Sequence, residues 1–464
     1  MNILILGAGQ VGFSLARLLS GEDNDVTVVD QNRDVLRDLR DRYDLRTVVG
    51  HCSHPDVLAQ AGVADTDMVI AVTNSDEINM VACQVAHTLF NTPKKIARVR
   101  ETSYLEYSER LFKQEATPID VLISPEELVT RHIARLIRNP GAKQVFTFAN
   151  GKIRLVSVRA FLGGKLVNHE LRELPEHMPG LKEQARIAAI FRKDKDEEYA
   201  ILPDGDTVIE PNDEVFFIAA PKHIRAITSE LRKLDKVNKR VMIAGGGNIG
   251  MRLAMILEKE FQVKIVEMSE QRCRYLAENL HNSVVLHADA ADDDVMMEEN
   301  IDSIDVFIAL TNDDEANILS AMLAKRRGAD KVMSLVNRPS YAGLVEEGIG
   351  IIPISPQQIT IGALLTHVRR GDVVTVHSLR RGAAEALEAI AHGDKENSRV
   401  VGRRMDELDL PSGVRIAALV RNDDVLMAHH DTMIEAEDHV IIMVTDKSKI
   451  DEVEKLFQVK PTFL

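Results

Sequence analysis

The sequence predicts an α/β chain: two doubly wound parallel sheets, each followed by a small α+β unit. Three observations carry this. The apolar run Ile3-Leu4-Ile5-Leu6 feeds Gly7-Ala8-Gly9-Gln10-Val11-Gly12, and Val241-Met242-Ile243-Ala244 feeds Gly245-Gly246-Gly247-Asn248-Ile249-Gly250. After each copy, short apolar segments alternate with helical periods, the pattern of a parallel sheet with crossover helices. A strand-rich composition follows each alternation, and it too is written twice.

The first element is therefore a strand, a G-x-G-x-x-G turn and a helix. Val11, Leu15, Leu18 and Leu19 keep helical spacing, and Ile249, Leu253, Ile256 and Leu257 repeat it. In a Rossmann-like unit the first glycine allows the tight turn and the second lets backbone approach a pyrophosphate. The third lets helix and strand pack closely. The helix N-terminus offers unpaired N–H groups and a positive dipole end to the phosphates. Asp30 closes the second strand, Val26-Thr27-Val28-Val29, and Glu267 closes Val263-Lys264-Ile265-Val266. Each is placed to hydrogen-bond a ribose hydroxyl pair and would repel a 2′-phosphate, favouring NAD over NADP.

Met68 to Val72 predict a fourth strand with Thr73-Asn74 at its carboxyl end, Ile96 to Val99 a fifth and Val121 to Ile123 a sixth. Ligands of such sheets lie beyond the carboxyl ends of the strands, where Gly9, Asp30, Thr73, Asn74 and Arg98 are expected to converge. The order returns in the second half. Gly7 and Gly245 stand 238 apart, as do Thr73-Asn74 and Thr311-Asn312, and Glu77 and Asn79 answer to Glu315 and Asn317. Ile123-Ser124-Pro125 reappears as Ile354-Ser355-Pro356, each opening a helix with Pro in its first turn.

Arg186-Ile187-Ala188-Ala189-Ile190-Phe191-Arg192 matches Arg415-Ile416-Ala417-Ala418-Leu419-Val420-Arg421 at an offset of 229. Asp206 to Glu210 match Asp431 to Glu435 at 225, so the second hairpin is shorter than the one with the charged tip Lys193 to Glu198. A repeat of this length is a duplicated domain pair. The expected order is a nucleotide-type unit at 1–140, a small unit at 141–230, a linker at 231–240, and the same pair at 241–370 and 371–458.

Composition sets the bounds. The 464 residues are 45% hydrophobic, as in ordinary globular chains, and no apolar run approaches a membrane span. The chain begins directly with its first strand, which leaves no room for a signal peptide and predicts a cytoplasmic location. A net charge of −15 without a basic block argues against a nucleic-acid partner. Cys52, Cys83 and Cys273 are odd in number and widely spaced, as in a reducing compartment.

The order of glycine loop, acidic second strand, Thr-Asn after the fourth strand and small α+β unit resembles the RCK (or KTN) domain family, whose members regulate potassium channels and transporters. Two complete copies in one chain resemble the tandem-RCK regulatory subunits of bacterial Trk-type potassium uptake, over essentially the whole length. The resemblance implies binding of NAD⁺ or NADH, with ATP and ADP as alternatives, at Gly7 to Gly12, Asp30, Thr73, Asn74 and Arg98. It implies the same at Gly245 to Gly250, Glu267, Thr311 and Asn312. It also implies a homo-oligomer, a tetramer whose eight units form a ring on the inner face of the membrane, beneath a partner of the TrkH or TrkG type. Hinges near Asn139-Pro140-Gly141 or Arg370-Gly371 would absorb a change of shape.

The halves also differ. Gly50-His51-Cys52 becomes Ala288-Asp289-Ala290, where the family carries Gly-Asp-Ala, so each copy keeps part of that pattern. Arg98 aligns with Leu335, and Arg100 with Asn337. An arginine can meet a phosphate bidentately and leucine cannot, so the two sites are expected to differ in affinity or preferred nucleotide.

His51-Cys52-Ser53-His54 lacks the second cluster that a zinc site needs, and reads as a loop at the solvent edge. His429-His430, read within a strand, would point to opposite faces. Asp292-Asp293-Asp294 reads as the charged start of a helix. No catalytic or metal-binding set emerges. The competing reading, an NAD-dependent dehydrogenase, needs a substrate domain with a proton donor over the nicotinamide. The small units that follow each glycine-loop unit suit a regulator better.

Overall fold

The computed structural model describes residues 1–22, 24–173, 184–194, 197–231, 238–368 and 373–459. The chain forms two compact units, residues 1–128 with 356–364, and residues 129–355 with 365–464.

The first unit holds six parallel strands: β1 (Asn2–Leu6), β2 (Asp25–Asp30), β3 (Arg46–Val49), β4 (Met68–Ala71), β5 (Lys94–Arg98) and β6 (Val121–Ile123). Their spatial order is β3-β2-β1-β4-β5-β6. Ile3, Leu4, Ile5 and Leu6 are all buried, as are Met68 to Ala71. Helices cover both faces of such a sheet, so its central strands read as unbroken apolar runs. Helix starts follow local chemistry. The Asn32 side chain accepts from the backbone N–H groups of Asp34 and Val35, and the Ser75 hydroxyl accepts from that of Ile78. Reversal of strand order between β1 and β4 opens the crevice where such sheets take ligands.

The second unit carries three sheets. The first has β7 (Ala142–Phe148), β8 (Ile153–Arg159), β9 (Ala185–Asp194), β10 (Glu197–Ile201) and β11 (Glu214–Ala219), antiparallel in the order β10-β9-β11-β8-β7. The second repeats the parallel sheet with β12 (Arg240–Ala244), β13 (Gln262–Glu267), β14 (Ser283–His287), β15 (Val306–Ala309), β16 (Lys331–Leu335) and β17 (Ile352–Ile354), in the order β14-β13-β12-β15-β16-β17. The third has β18 (Val373–Leu379), β19 (Ala384–Ile390), β20 (Val414–Arg421), β21 (Asp424–Met427) and β22 (His439–Val444). Its order, β18-β19-β22-β20-β21, is that of the first antiparallel sheet read from the other end. The two antiparallel sheets share one core, in which Phe148, Leu155, Phe191 and Phe216 pack with Leu379, Ala386, Val420 and Ile441.

The duplicated α/β architecture is as expected, and the second hairpin is shorter, turning at Asn422-Asp423. One reading is corrected. His429 and His430 follow β21 rather than lie in it, because the His429 N–H turns to the Thr432 hydroxyl at 2.9 Å. Most of the expected linker (232–237), the expected hinge Arg370-Gly371, and Lys195 and Asp196 of the hairpin tip lie outside the described residues. Among the described residues no helix is long and apolar enough to cross a membrane.

Candidate functional site

In the first unit the β1 strand ends at Gly7, whose N–H donates to the Val29 carbonyl at 2.8 Å. Gly7 has φ +101°, and a Cβ there would lie 3.0 Å from the Thr73 backbone. Glycine is therefore required on two counts: conformation, and the close approach of the β4 exit. Five residues on, a Cβ at Gly12 would lie 1.8 Å from the Gly7 carbonyl oxygen. The tight crossing of loop and helix is possible only without a side chain. Gly9 differs, since no atom lies within 4 Å of where its Cβ would stand. Its surroundings are open, as a loop that lets a pyrophosphate come close must be.

Asp30 closes β2 and turns onto the loop. One carboxylate oxygen accepts from the Ala8 N–H at 2.6 Å, the other from the Asn32 N–H at 2.8 Å. Thr73 is held by Asn79, whose amide oxygen accepts from both the Thr73 N–H (2.9 Å) and its hydroxyl (2.7 Å). The Asn79 amide nitrogen donates to the Arg98 carbonyl at 2.9 Å. Gly7, Thr73 and the end of β5 are thus tied into one rim, with Asp30 on the loop's other side. Asn74 joins the rim through its carbonyl, which accepts from Arg100 at 3.0 Å.

Arg98 stands on the rim in an unusual state. Its Nε is buried and meets no hydrogen-bond acceptor among the described residues. Burial first, and the Arg100 guanidinium second, hold its pKa below the usual arginine value. A buried N–H without an acceptor is costly, and an anion placed beside it would relieve that cost.

The second copy reproduces this frame. The Gly245 N–H donates to the Val266 carbonyl at 2.8 Å, and the Gly246 N–H to Glu267 at 2.8 Å. A Cβ at Gly250 would lie 2.0 Å from the Gly245 carbonyl oxygen, and Gly247 faces open space like Gly9. Asn317 holds the Thr311 N–H at 2.8 Å and donates to the Leu335 carbonyl at 3.2 Å. Asn312 follows at the exposed end of the β15 exit. Where Arg98 stands in the first copy, the second has the buried Leu335.

Two pairs of residues escaped the sequence reading as parts of the rim. Asn79 and Asn317 are fully buried. Asp76 accepts from the N–H groups of Arg100 and Glu101, both at 2.8 Å, and Asp314 plays the same part for Asn337 and Arg338. The repetition of Asn79 in Asn317 was the available signal, but the role needs the strand that each helix meets.

His51 and His54 stack at 4.4 Å, and Ser53 bonds His51. Cys52 is buried, with its thiol pushed up to about 12, chiefly by burial. A thiol so hard to ionise is a poor metal ligand.

Comparison with known proteins decides the family. The TrkA-N domain matches residues 3–125 and 241–355, and the TrkA-C domain matches 155–232 and 394–458. The chain is 56% identical over 464 residues to the Trk system potassium uptake protein TrkA of Vibrio alginolyticus, covering all of both chains.

The chain belongs to the TrkA family.

A second TrkA relative, from Halomonas elongata, is 59% identical over 463 residues, again at full coverage. Among solved structures, the GsuK RCK domain superposes with a TM-score of 0.58 at 18% identity, covering 98% of this chain and 95% of that one. The GsuK channel bound to NAD gives a TM-score of 0.59 at 17% identity, covering 98% of this chain and 78% of that one. These neighbours share the tandem RCK fold. TrkA membership makes the chain a regulatory component of potassium uptake rather than an enzyme, and so sets the dehydrogenase reading aside.

Proposed function

We propose that this TrkA-family chain senses nucleotides at two sites and uses them to gate a membrane potassium-translocating partner of the TrkH or TrkG type. The observation that carries the proposal is the doubled frame in which an acidic residue grips the loop backbone (Asp30 to Ala8 at 2.6 Å, Glu267 to Gly246 at 2.8 Å) beside an open glycine. Gly7 to Gly12, Asp30, Thr73, Asn74 and Arg98 would hold one NAD⁺ or NADH, with ATP or ADP as alternatives. Gly245 to Gly250, Glu267, Thr311 and Asn312 would hold the other. The GsuK channel bound to NAD gives a precedent for the ligand on this fold.

The chain works, in this reading, as a homotetramer on the cytoplasmic face of the membrane, with nucleotide-type units at 1–140 and 241–370. A hinge near Asn139-Pro140-Gly141, or near Arg370-Gly371, would absorb the change of shape. Gating requires that the nucleotide bind two conformations unequally, since equal affinity shifts no population. Calorimetric titration with NADH, NAD⁺, NADPH and ATP, repeated on Gly9→Leu and Gly247→Leu with recovery of the ligand, tests the proposal. Selective binding, lost one site at a time with the ligand chemically unchanged, is the expected result. Absence of nucleotide binding would overturn it.

A further inference from the structure

The two glycine loops differ on the side of the acidic residue. In the first copy Asn32 caps the helix Arg33–Arg42, and in the second Ser269 caps the helix Glu270–Asn279. Three residues past each cap stand Val35 and Arg272. Val35 is half-buried and offers only an apolar wall. Arg272 does more. Its Nε donates to the Gly246 carbonyl at 2.7 Å, and Gly246 is the residue whose N–H is gripped by Glu267. Its terminal nitrogen approaches the Met251 sulfur at 3.6 Å. Its guanidinium lies over the Tyr275 ring, 4.8 Å from the centroid.

A Cβ at Gly246 would come within 2.3 Å of Leu276 Cδ1 and 3.2 Å of Glu267 Oε2, at the position where the first loop has Ala8. The guanidinium is held by the Gly246 carbonyl and by the Tyr275 ring. Arg272 itself is only half-buried, beside the loop whose Gly246 N–H is held by Glu267. A planar cation suits a flat aromatic base, which it meets by stacking and cation–π attraction.

We infer that Arg272 is a specificity-determining residue of the second site, whose guanidinium stacks on the adenine of a bound nucleotide. The first site lacks this group and meets the base with Val35. The inference rests on the proposed nucleotide reading of the second loop and adds the element that selects the base.

The test uses the full chain with the first loop silenced by Gly9→Leu, a position with open space around it. ADP and UDP, which share ribose and diphosphate, are titrated against this protein and against versions carrying Arg272→Val or Arg272→Lys. Valine is the residue that the first half uses at this position, and lysine keeps the charge without the plane. The expected result is that both substitutions weaken ADP by about three- to thirtyfold, the range of one desolvated cation–π contact, while UDP changes less than about twofold on the same scale. A parallel fall of ADP and UDP would reduce Arg272 to a support of the loop and overturn the inference, as would unchanged ADP affinity or full rescue by lysine. Failure of the unsubstituted second site to bind either nucleotide would be a different outcome, removing the nucleotide reading of that loop and the inference with it.

Discussion

A Cβ built at Gly12 would lie 1.8 Å from the Gly7 carbonyl oxygen, whereas one built at Gly9 meets no atom within 4 Å. The two glycines of one motif are therefore there for different reasons, and substitution separates them. Gly9→Ala is expected to leave the melting temperature unchanged and to lower nucleotide affinity at the first site at least about tenfold, because the new methyl intrudes where phosphate must approach. Gly12→Ala is expected to destabilise the first unit by about 1–3 kcal/mol, through overpacking of loop against helix. Melting and titration of both variants would show the split; equal behaviour would contradict it. Arg98 belongs to the same scale. Arg98→Leu installs the residue that the second copy uses and removes a buried Nε that has no acceptor among the described residues. It should weaken ATP at the first site roughly ten- to a hundredfold, the size of a charge-assisted hydrogen bond. Retention of wild-type ATP affinity in calorimetry would exclude the arginine as a phosphate ligand.

Among the elements, the helix Pro356–Val368 stands apart, because its residues through Leu364 belong to the first compact unit although the sequence places it in the second repeat. Gln357 makes this connection. Its amide nitrogen donates to the Gln10 carbonyl at 2.8 Å and to the Ser14 hydroxyl at 2.6 Å, both in the first turns of the helix that leaves the first glycine loop. Its amide oxygen is buried without a partner among the described residues. Gln357→Ala removes two hydrogen bonds worth about 0.5–1.5 kcal/mol each. Faster amide exchange confined to Gln10–Leu19 is the expected readout, and unchanged exchange there would show that the contact does not hold this helix. Local chemistry opens several helices, with Asn32, Ser75, Ser269 and Asp313 accepting from backbone N–H groups at their starts. The helices opened by Pro125 and Pro356 were legible in the sequence; the partner of Gln357 was not, since a contact across 347 positions leaves no trace in local periodicity.

For the molecule as a whole, duplication produces two kinds of result. The parallel sheets repeat nearly residue for residue, while the two antiparallel sheets merge their apolar faces into one core. His377 sits beside that core, 4.9 Å from the Phe148 ring. His377 stacks on Phe146 at 4.8 Å and bonds the Thr147 carbonyl at 3.2 Å. Burial pushes its pKa down to about 4, and that of His132, also pushed down by Arg135, to about 3. Both folded values lie below the ordinary value of 6.5, so between them the unfolded chain binds more protons. Stability from these groups is full above about pH 6.5 and is lost as pH falls toward 4 and then 3. Melting between pH 7.5 and 5 should show this decline, made shallower by His377→Gln, and an identical slope in the variant would rule out His377 as a source.

What the sequence determined by itself is what short-range chemistry encodes: two glycine loops, the acids that end the following strands, the alternation of strand and helix, and the second occurrence of each. These depend on residues a few positions apart, or on identity between copies, and both can be read along the chain. Tertiary structure alone decided that Asn79 and Asn317 knit strand ends into a rim and that the Arg98 Nε is buried without an acceptor among the described residues. It also decided that Gln357 reaches the first loop's helix, that Arg272 bonds Gly246 and lies over Tyr275, and that the small sheets share a core. The reason is physical. Burial and hydrogen-bond satisfaction depend on which surfaces meet, and packing brings together residues that no sequence interval relates.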